Sequence, residues 1–232
     1  MSSLTPVLLD TSVIEKNVVF HVLGIGITST VIATWAMVAV IAALAGYAGR
    51  HLQERPSRWQ AVCEWGVGAV SGLIEEMTGE DARRYLPLIA TTGLFILVAN
   101  LMSIVPTVEA PTASINTPAA LAVIVFFSVH YFGIRELGFW DYLKTFALPT
   151  PLLLPMNILS HLTRTFSLAI RLFGNMLSHQ IIVAVLLLVL PLVVPAVLEV
   201  FGLFIGVLQA YIFTILTVVY IAGAVRVEGE TG

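Results

Sequence analysis

The residue hardest to explain as packing is Arg171. Its neighbours Ile170, Leu172 and Phe173 are apolar, and no Asp, Glu, Lys or Arg follows until Glu199. An arginine at the centre of a spanning helix costs at least ~2.5–3.5 kcal/mol on insertion scales, whereas a leucine fills the same site without that cost. A guanidinium does not deprotonate in proteins, so it cannot relay a proton by releasing its own. It can hold an opposing carboxylate ionised by lowering that group's pKa, and it can repel a mobile cation. The one deep carboxylate of this chain is Glu199, close to a turn, so the opposing anion is expected to come from another subunit.

The spacing extends the argument. Asn157, His161, Arg164, Leu168, Arg171, Asn175 and Ser178 follow alternating steps of four and three, which puts them on one helix face. All but Leu168 are polar, Ser160 lies beside His161, and His179 and Gln180 extend the edge of the stripe. Such a stripe cannot face lipid and must meet a partner helix or a water-filled cavity. Arg164 is about two turns nearer the helix start than Arg171, where its stem can snorkel to the interface. Farther along, Gly202, Gly206, Gln209, Phe213 and Tyr220 align in the same way, with the glycines permitting close backbone approach. Gln209 needs a polar partner, and the Arg171 stripe is the candidate.

The elements that position these residues are spanning helices. Of the 232 residues 58% are hydrophobic and 11% charged, against about 25% charged in ordinary soluble domains, and the mean hydropathy is +0.97. This composition excludes a soluble enzyme, a disordered chain and a nucleic-acid binder, which would need a basic field. The single Cys63 has no CxxC context and carries no metal or redox reading. The N-terminus lacks the basic region of a signal peptide. Charge-free apolar runs predict an all-α, polytopic membrane protein with five crossings, at 20–48, 86–106, 117–134, 158–189 and 197–225. Turns are expected at Pro106–Pro111 and Leu190–Pro195. The whole chain reads as one membrane domain, with 158–225 as a helix hairpin.

Five crossings place Arg50, Arg55, Arg58, Arg83, Arg84, Arg135, Lys144 and Arg226 on one side, the cytoplasmic side by the positive-inside rule, and the N-terminus outside. Lys16 is the outside exception. Segment 57–79 is too polar to span. Val62, Trp65, Ala69, Leu73 and Met77, widened by Trp59, Gly66 and Val70, form one apolar face. This predicts an amphipathic helix at the cytoplasmic interface, with a helix packed on the bundle as the alternative.

Ser167-Leu168-Ala169-Ile170-Arg171-Leu172-Phe173-Gly174-Asn175-Met176 closely resembles the signature of subunit a of F-type ATP synthases. Leu208-Gln209-Ala210-Tyr211-Ile212-Phe213-Thr214 resembles that family's second signature, and Asn100-Leu101, Pro111-Thr112-Ala113 and Asn116-Thr117 its earlier motif. The similarity runs from about residue 80 to 225. It implies a stator subunit in a bacterial inner membrane, with long, tilted last helices curved around a ring of c subunits. Other ATP synthase subunits and the lipid bilayer complete its surroundings, and 57–79 would meet the b-subunit peripheral stalk. The essential arginine maps onto Arg171, and the characteristic asparagine and glutamine onto Asn175 and Gln209. Two half-channels would reach the ring carboxylates from opposite sides, separated by Arg171.

Some positions depart from the family pattern. Asn157, Ser114 and Gln180 stand where acids are frequent, and Gly202 where an acid or histidine is usual. Glu199 and His179 are the expected substitutes in the outer half-channel. Ser160, His161 and Arg164 belong to the same ion-translocating set. The departures resemble a bacterial subgroup of duplicate, sodium-suspected ATPases, so sodium stands beside the expected proton. The chain has no phosphate-binding loop, nucleophile constellation or metal-ligand cluster, so no cofactor, metal or catalytic residue is expected. Two other readings stay open on the residues alone: a stand-alone secondary transporter with Arg171 binding an anion, and a structural scaffold.

Overall fold

The computed structural model describes residues 18–22, 25–50, 58–102, 112, 114–146, 150–189 and 193–225. The chain is helical apart from one short antiparallel hairpin of β1 (Val18–Val22) and β2 (Ile25–Thr28), in which Val22 pairs with Ile25 and Val18 with Thr28. This corrects the expected start of the first crossing. Val18, Val19, Phe20, Val22, Ile25 and Ile27 are apolar enough to extend a hydropathy run, but they are also strand formers. Helix α1 accordingly begins later, at Ser29–Arg50.

The remaining helices are α2 (Arg58–Thr78), α3 (Leu86–Met102), α4 (Asn116–Leu137), α5 (Phe139–Thr145), α6 (Leu154–Val189) and α7 (Val193–Val225), with single 3-10 turns at Ala82–Arg84 and Pro151–Leu153. Among the described residues α4, α6 and α7 are long and apolar enough to cross a membrane. The other two expected crossings are present as apolar helices, Val31–Tyr47 within α1 and Leu86–Met102. The 17 residues of α3 measure about 25 Å, at the short end for a crossing. At 36 and 33 residues, α6 and α7 reach about 54 and 50 Å, so each must lean or project beyond a hydrocarbon core of about 30 Å.

Both long helices start earlier than expected, because a proline in the first turn is compatible with a helix. Pro155 lies in the first turn of α6 and Pro195 in that of α7. The turn between them is therefore shorter than Leu190–Pro195. The expected turn at Pro106–Pro111 lies outside the described residues, as do Lys16, Arg55 and Arg226. Helix α5 was not expected. Gly138, at φ +82°, a backbone conformation that favours glycine, breaks the chain between α4 and α5.

Helix α7 is central and packs on α2, α3, α4 and α6. The core joins Ile74 of α2, Ile89 and Ile96 of α3, Val125 of α4, Leu168 and Leu172 of α6, and Phe213, Val218 and Ile221 of α7. Helix α2 divides. Its second half inserts Ile74 into this core, with Val70, Leu73 and Met77 beside it, while Val62 (62%) and Trp65 (77%) remain exposed in its first half. The expected apolar face is thus half packed on the bundle and half free. Tyr85, wholly buried beside Phe132, has its hydroxyl pushed above the usual tyrosine value by burial and then by Glu80. An Arg84–Glu136 ion pair ties the start of α3 to the end of α4.

Candidate functional site

Helices α6 and α7 form an antiparallel hairpin whose register three contacts fix. The Arg164 guanidinium lies 5.9 Å from the centre of the Tyr220 ring. Asn175 Nδ2 donates to Gln209 Oε1 at 2.8 Å. The His179 ring fills the space that a side chain at Gly202 would occupy. The expected stripe therefore lies along the flank of the hairpin: Leu168 is buried, Asn157, Ser160 and His161 are half-buried, and Arg164, Arg171, Asn175 and Ser178 are exposed.

Arg171 is exposed near the middle of α6, with Phe166 and Ile170 exposed beside it in sequence and Phe204, Leu208 and Tyr211 exposed on α7. Among the described residues it makes no hydrogen bond, ion pair or ring contact. Glu199, the next charged residue along the chain, is engaged elsewhere, with Oε2 at 3.4 Å from His179 Nε2. Arg171 is thus neutralised by no described residue and not by burial. A permanent cation on an apolar face calls for a covering surface that brings its own anion.

Toward the α6–α7 turn the polar groups are satisfied in pairs. Gln209 is 4% exposed, and Asn175 of the stripe is its partner. Asn100 of α3 donates from Nδ2 to the Gly206 carbonyl at 3.0 Å and accepts from Thr112 Oγ1 at 3.2 Å. A Cβ at Gly206 would lie 2.9 Å from Asn100 Cβ, so the glycine allows that approach. A cavity of about 20 Å³ lies among Asn100, Asn175, His179, Gly202, Gly206 and Gln209, room for one water molecule. Gln180 is half-buried and has no hydrogen-bond partner among the described residues.

The opposite end, which carries Arg84, Arg135 and Lys144, is built differently. His161 lies against Phe146, with ring centres 5.0 Å apart, and against His130 of α4, at 5.7 Å. Asn157 does not face an ion path with a free amide; its Nδ2 donates to the Phe146 carbonyl at 2.9 Å. Ser160 and Arg164 line an open cleft of about 390 Å³. Sequence reasoning missed His130 and Tyr142. The available signal was a histidine inside the charge-free run between Glu109 and Arg135, which reads equally well as core. Tyr142 is buried, and a Cβ at Gly133 would run into its ring. Burial pushes its hydroxyl up to about 12.

An apolar helical bundle with an exposed mid-helix arginine and hydrogen-bonded amides between its last two helices defines a multi-pass membrane protein. The family model for the ATP synthase A chain matches residues 31–222. The chain is 46% identical over 217 residues to "ATP synthase subunit a 2" of a Bradyrhizobium species, covering 94% of this chain and 97% of the relative. It is 47% identical over 204 residues to "ATP synthase subunit a 1" of Chlorobaculum parvum, covering 87% and 90%. With "ATP synthase subunit a" of Nitrosospira multiformis it shares 43% identity over 206 residues, covering 88% and 82%. The chain belongs to the ATP synthase subunit a family. It is therefore a non-catalytic, membrane-sector subunit of a complex with other ATP synthase subunits, which replaces the stand-alone transporter and scaffold readings.

Proposed function

We propose that this chain is the ion-translocating stator of a rotary F-type ATP synthase, with the α6–α7 hairpin, 158–225, laid against the c-subunit ring. Arg171 faces the ring carboxylate and keeps it ionised as it passes. Its fixed charge also repels a cation moving along the stator, so ions cross only by riding the ring. The observation that carries this reading is the exposed Arg171 on an apolar flank of α6, unpaired among the described residues. Asn175 and Gln209 hold the hairpin in register beside it, and His179, Gln180 and Glu199 line the half-channel toward the turn. Ser160, His161 and Arg164 line the other.

The proton is the ion this reading favours, with sodium as the second. The arginine-rich end lies in the cytoplasm of a bacterial cell, the inner membrane holds the bundle, and the N-terminus is outside. The free first half of α2, with Val62 and Trp65 exposed, lies at the cytoplasmic interface and meets the b-subunit peripheral stalk.

Cysteine cross-linking tests the orientation. In the assembled complex, Ser178→Cys, on the Arg171 flank, is expected to form a disulfide with a cysteine placed in the outer helix of the c subunit, and Ala122→Cys, inside the bundle, is not. A cross-link from neither position, or from Ala122 alone, contradicts the reading. ATP-driven acidification without sodium uptake in reconstituted vesicles identifies the proton; sodium uptake without acidification assigns the other ion.

A further inference from the structure

Three adjoining cavities run through the arginine-rich end of the hairpin. The first, about 170 Å³, is lined by Tyr142, Thr145, Phe146, Asn157 and His161, with Gly223 and Ala224. The second, about 20 Å³, lies between His130, His161, Arg164 and Tyr220. The third is the open cleft of about 390 Å³ with Ser160, Arg164, Ser167 and Tyr220. His161 lines the first and second, and Arg164 and Tyr220 line the second and third. The cavities thus form a sequence from the helix ends to the exposed flank of α6.

Among the described residues no carboxylate lines any of them. Asn157 is committed to the Phe146 carbonyl. Among the lining residues, the side chains whose ordinary titration falls between pH 5 and 8 are His130 and His161. Each lies seven residues inside its helix, from Leu137 in α4 and from Leu154 in α6, which is about 10 Å from the end. His130 Nδ1 is 2.7 Å from the Phe126 carbonyl oxygen. That contact makes Nδ1 the donor in the neutral ring and leaves Nε2 to accept a proton. The intervening cavity has room for one water, which can bridge the two rings.

We propose that His161 and His130 form a proton-exchanging pair that passes protons between the cavity at the helix ends and the cleft on the ring-facing flank. His161 takes a proton from water in the 170 Å³ cavity and becomes an imidazolium. The proton moves through the enclosed water to His130 Nε2, then returns to that water and leaves past Arg164 and Tyr220, which line both this cavity and the cleft, and each ring goes back to its neutral form. The charged and titratable groups around the pair are Tyr142 on α5, Arg164 on α6 and Tyr220 on α7. Arg164 keeps the loaded state short-lived, because it lines the same cavity and two cations there repel. The same charge opposes a resident sodium ion, which would find hydroxyl oxygens there but no counter-charge among the described residues.

This pair rests on the ring-facing reading of Arg171, and its test separates the two. ATP-driven proton uptake is measured in vesicles holding the intact complex, with the outside pH varied from about 5.5 to 8.5, around the ordinary histidine value. Dividing each variant's profile by that of the unsubstituted complex cancels the pH dependence of ATP chemistry. His161→Phe keeps the ring packing and removes the proton, and is expected to lower uptake about tenfold or more. His161→Glu is expected to recover most of it, with the profile moved about two pH units lower. His130→Phe is expected to reduce uptake several-fold and to shift the His161 inflection. His161→Gln runs beside the phenylalanine variant in case the latter does not assemble, and c-ring co-purification checks assembly of each.

An assembled His161→Phe or His161→Gln complex with the original flux and pH profile overturns the pair. So does sodium uptake in place of acidification by the unsubstituted complex, which needs no variant. If Arg171→Ala abolishes pumping while His161→Phe leaves it unchanged, the pair alone fails. If Arg171→Ala pumps normally, the reading beneath fails and the pair falls with it.

Discussion

The two ends of the α6–α7 hairpin solve the problem of polar groups in a membrane in opposite ways. Toward the turn, amides pair with amides and backbone: Asn175 with Gln209, Asn100 with Gly206 and Thr112. Gly206 lets Asn100 approach, Gly202 admits the His179 ring, and the enclosed space has room for one water. Toward the arginine-rich end, aromatic rings and histidines leave open volume, and Arg164 rests on a ring face. The first end is held by short, mutually dependent bonds, so single changes there should be costly. The second has room to absorb them, so its sensitivity should be chemical more than structural.

The largest contrast is expected from glycine substitutions at the tight end. Gly206→Ala forces its new Cβ against Asn100 Cβ, which would lie 2.9 Å away. Overpacking of this kind costs about 1–3 kcal/mol, to be read as a lowered unfolding midpoint of the detergent-solubilised complex. Gly202→Ala displaces the His179 ring from Glu199 and is expected to reduce pumping more than stability, since the ring can swing aside. Equal loss from alanine at half-buried Gly174, which has nothing near its Cβ position, would erase the contrast.

Next comes Asn100→Ala. It strips the Gly206 carbonyl and the wholly buried Thr112 hydroxyl of a partner. Unsatisfied buried groups cost about 1–3 kcal/mol, and the same thermal measurement checks it. Gln209→Leu leaves the half-buried Asn175 bond unmade, but Asn175 is exposed and can find another partner. Its effect on stability should be about 1 kcal/mol or less.

At the open end, Tyr142→Phe is expected to be neutral or slightly stabilising, because the tyrosine hydroxyl is buried without a hydrogen-bond partner among the described residues. It should also change the alkaline limb of stability. Burial holds the folded hydroxyl near 12 against an ordinary value of 10. Above pH 10 the unfolded chain releases this proton and the folded chain does not, so stability is full below that pH and is lost as pH rises through about 12. Unfolding of Tyr142→Phe should lack this part of the decline. An identical alkaline limb would show that Tyr142 is not the group responsible.

The sequence revealed the hairpin and its main residues because cost and periodicity both act along one helix. Arg171 stands out by the penalty of burying a guanidinium in lipid, and the stripe from Asn157 to Ser178 by its steps of four and three. Boundaries and partners depend on other elements and were less legible. Hydropathy could not separate strand from helix in Val18–Thr28, where β-branched residues serve both. Helix α5 is only 7 residues long, too short for a period to emerge. The insertion of Ile74 into the core divides α2 in a way that its own pattern does not encode. The meeting of Gly202 with His179, and of His130 with His161, follows from helix register. A lone glycine or histidine in an apolar run carries no mark of what it will face.

The central claim is that Arg171 acts as a fixed charge toward a partner's moving acid. It is tested most directly by ATP-driven ion pumping in vesicles containing Arg171→Ala complexes, with the c ring and ATPase sector verified as assembled. The account expects pumping to vanish while the complex remains intact. Assembled Arg171→Ala complexes that pump at the unsubstituted rate would contradict it.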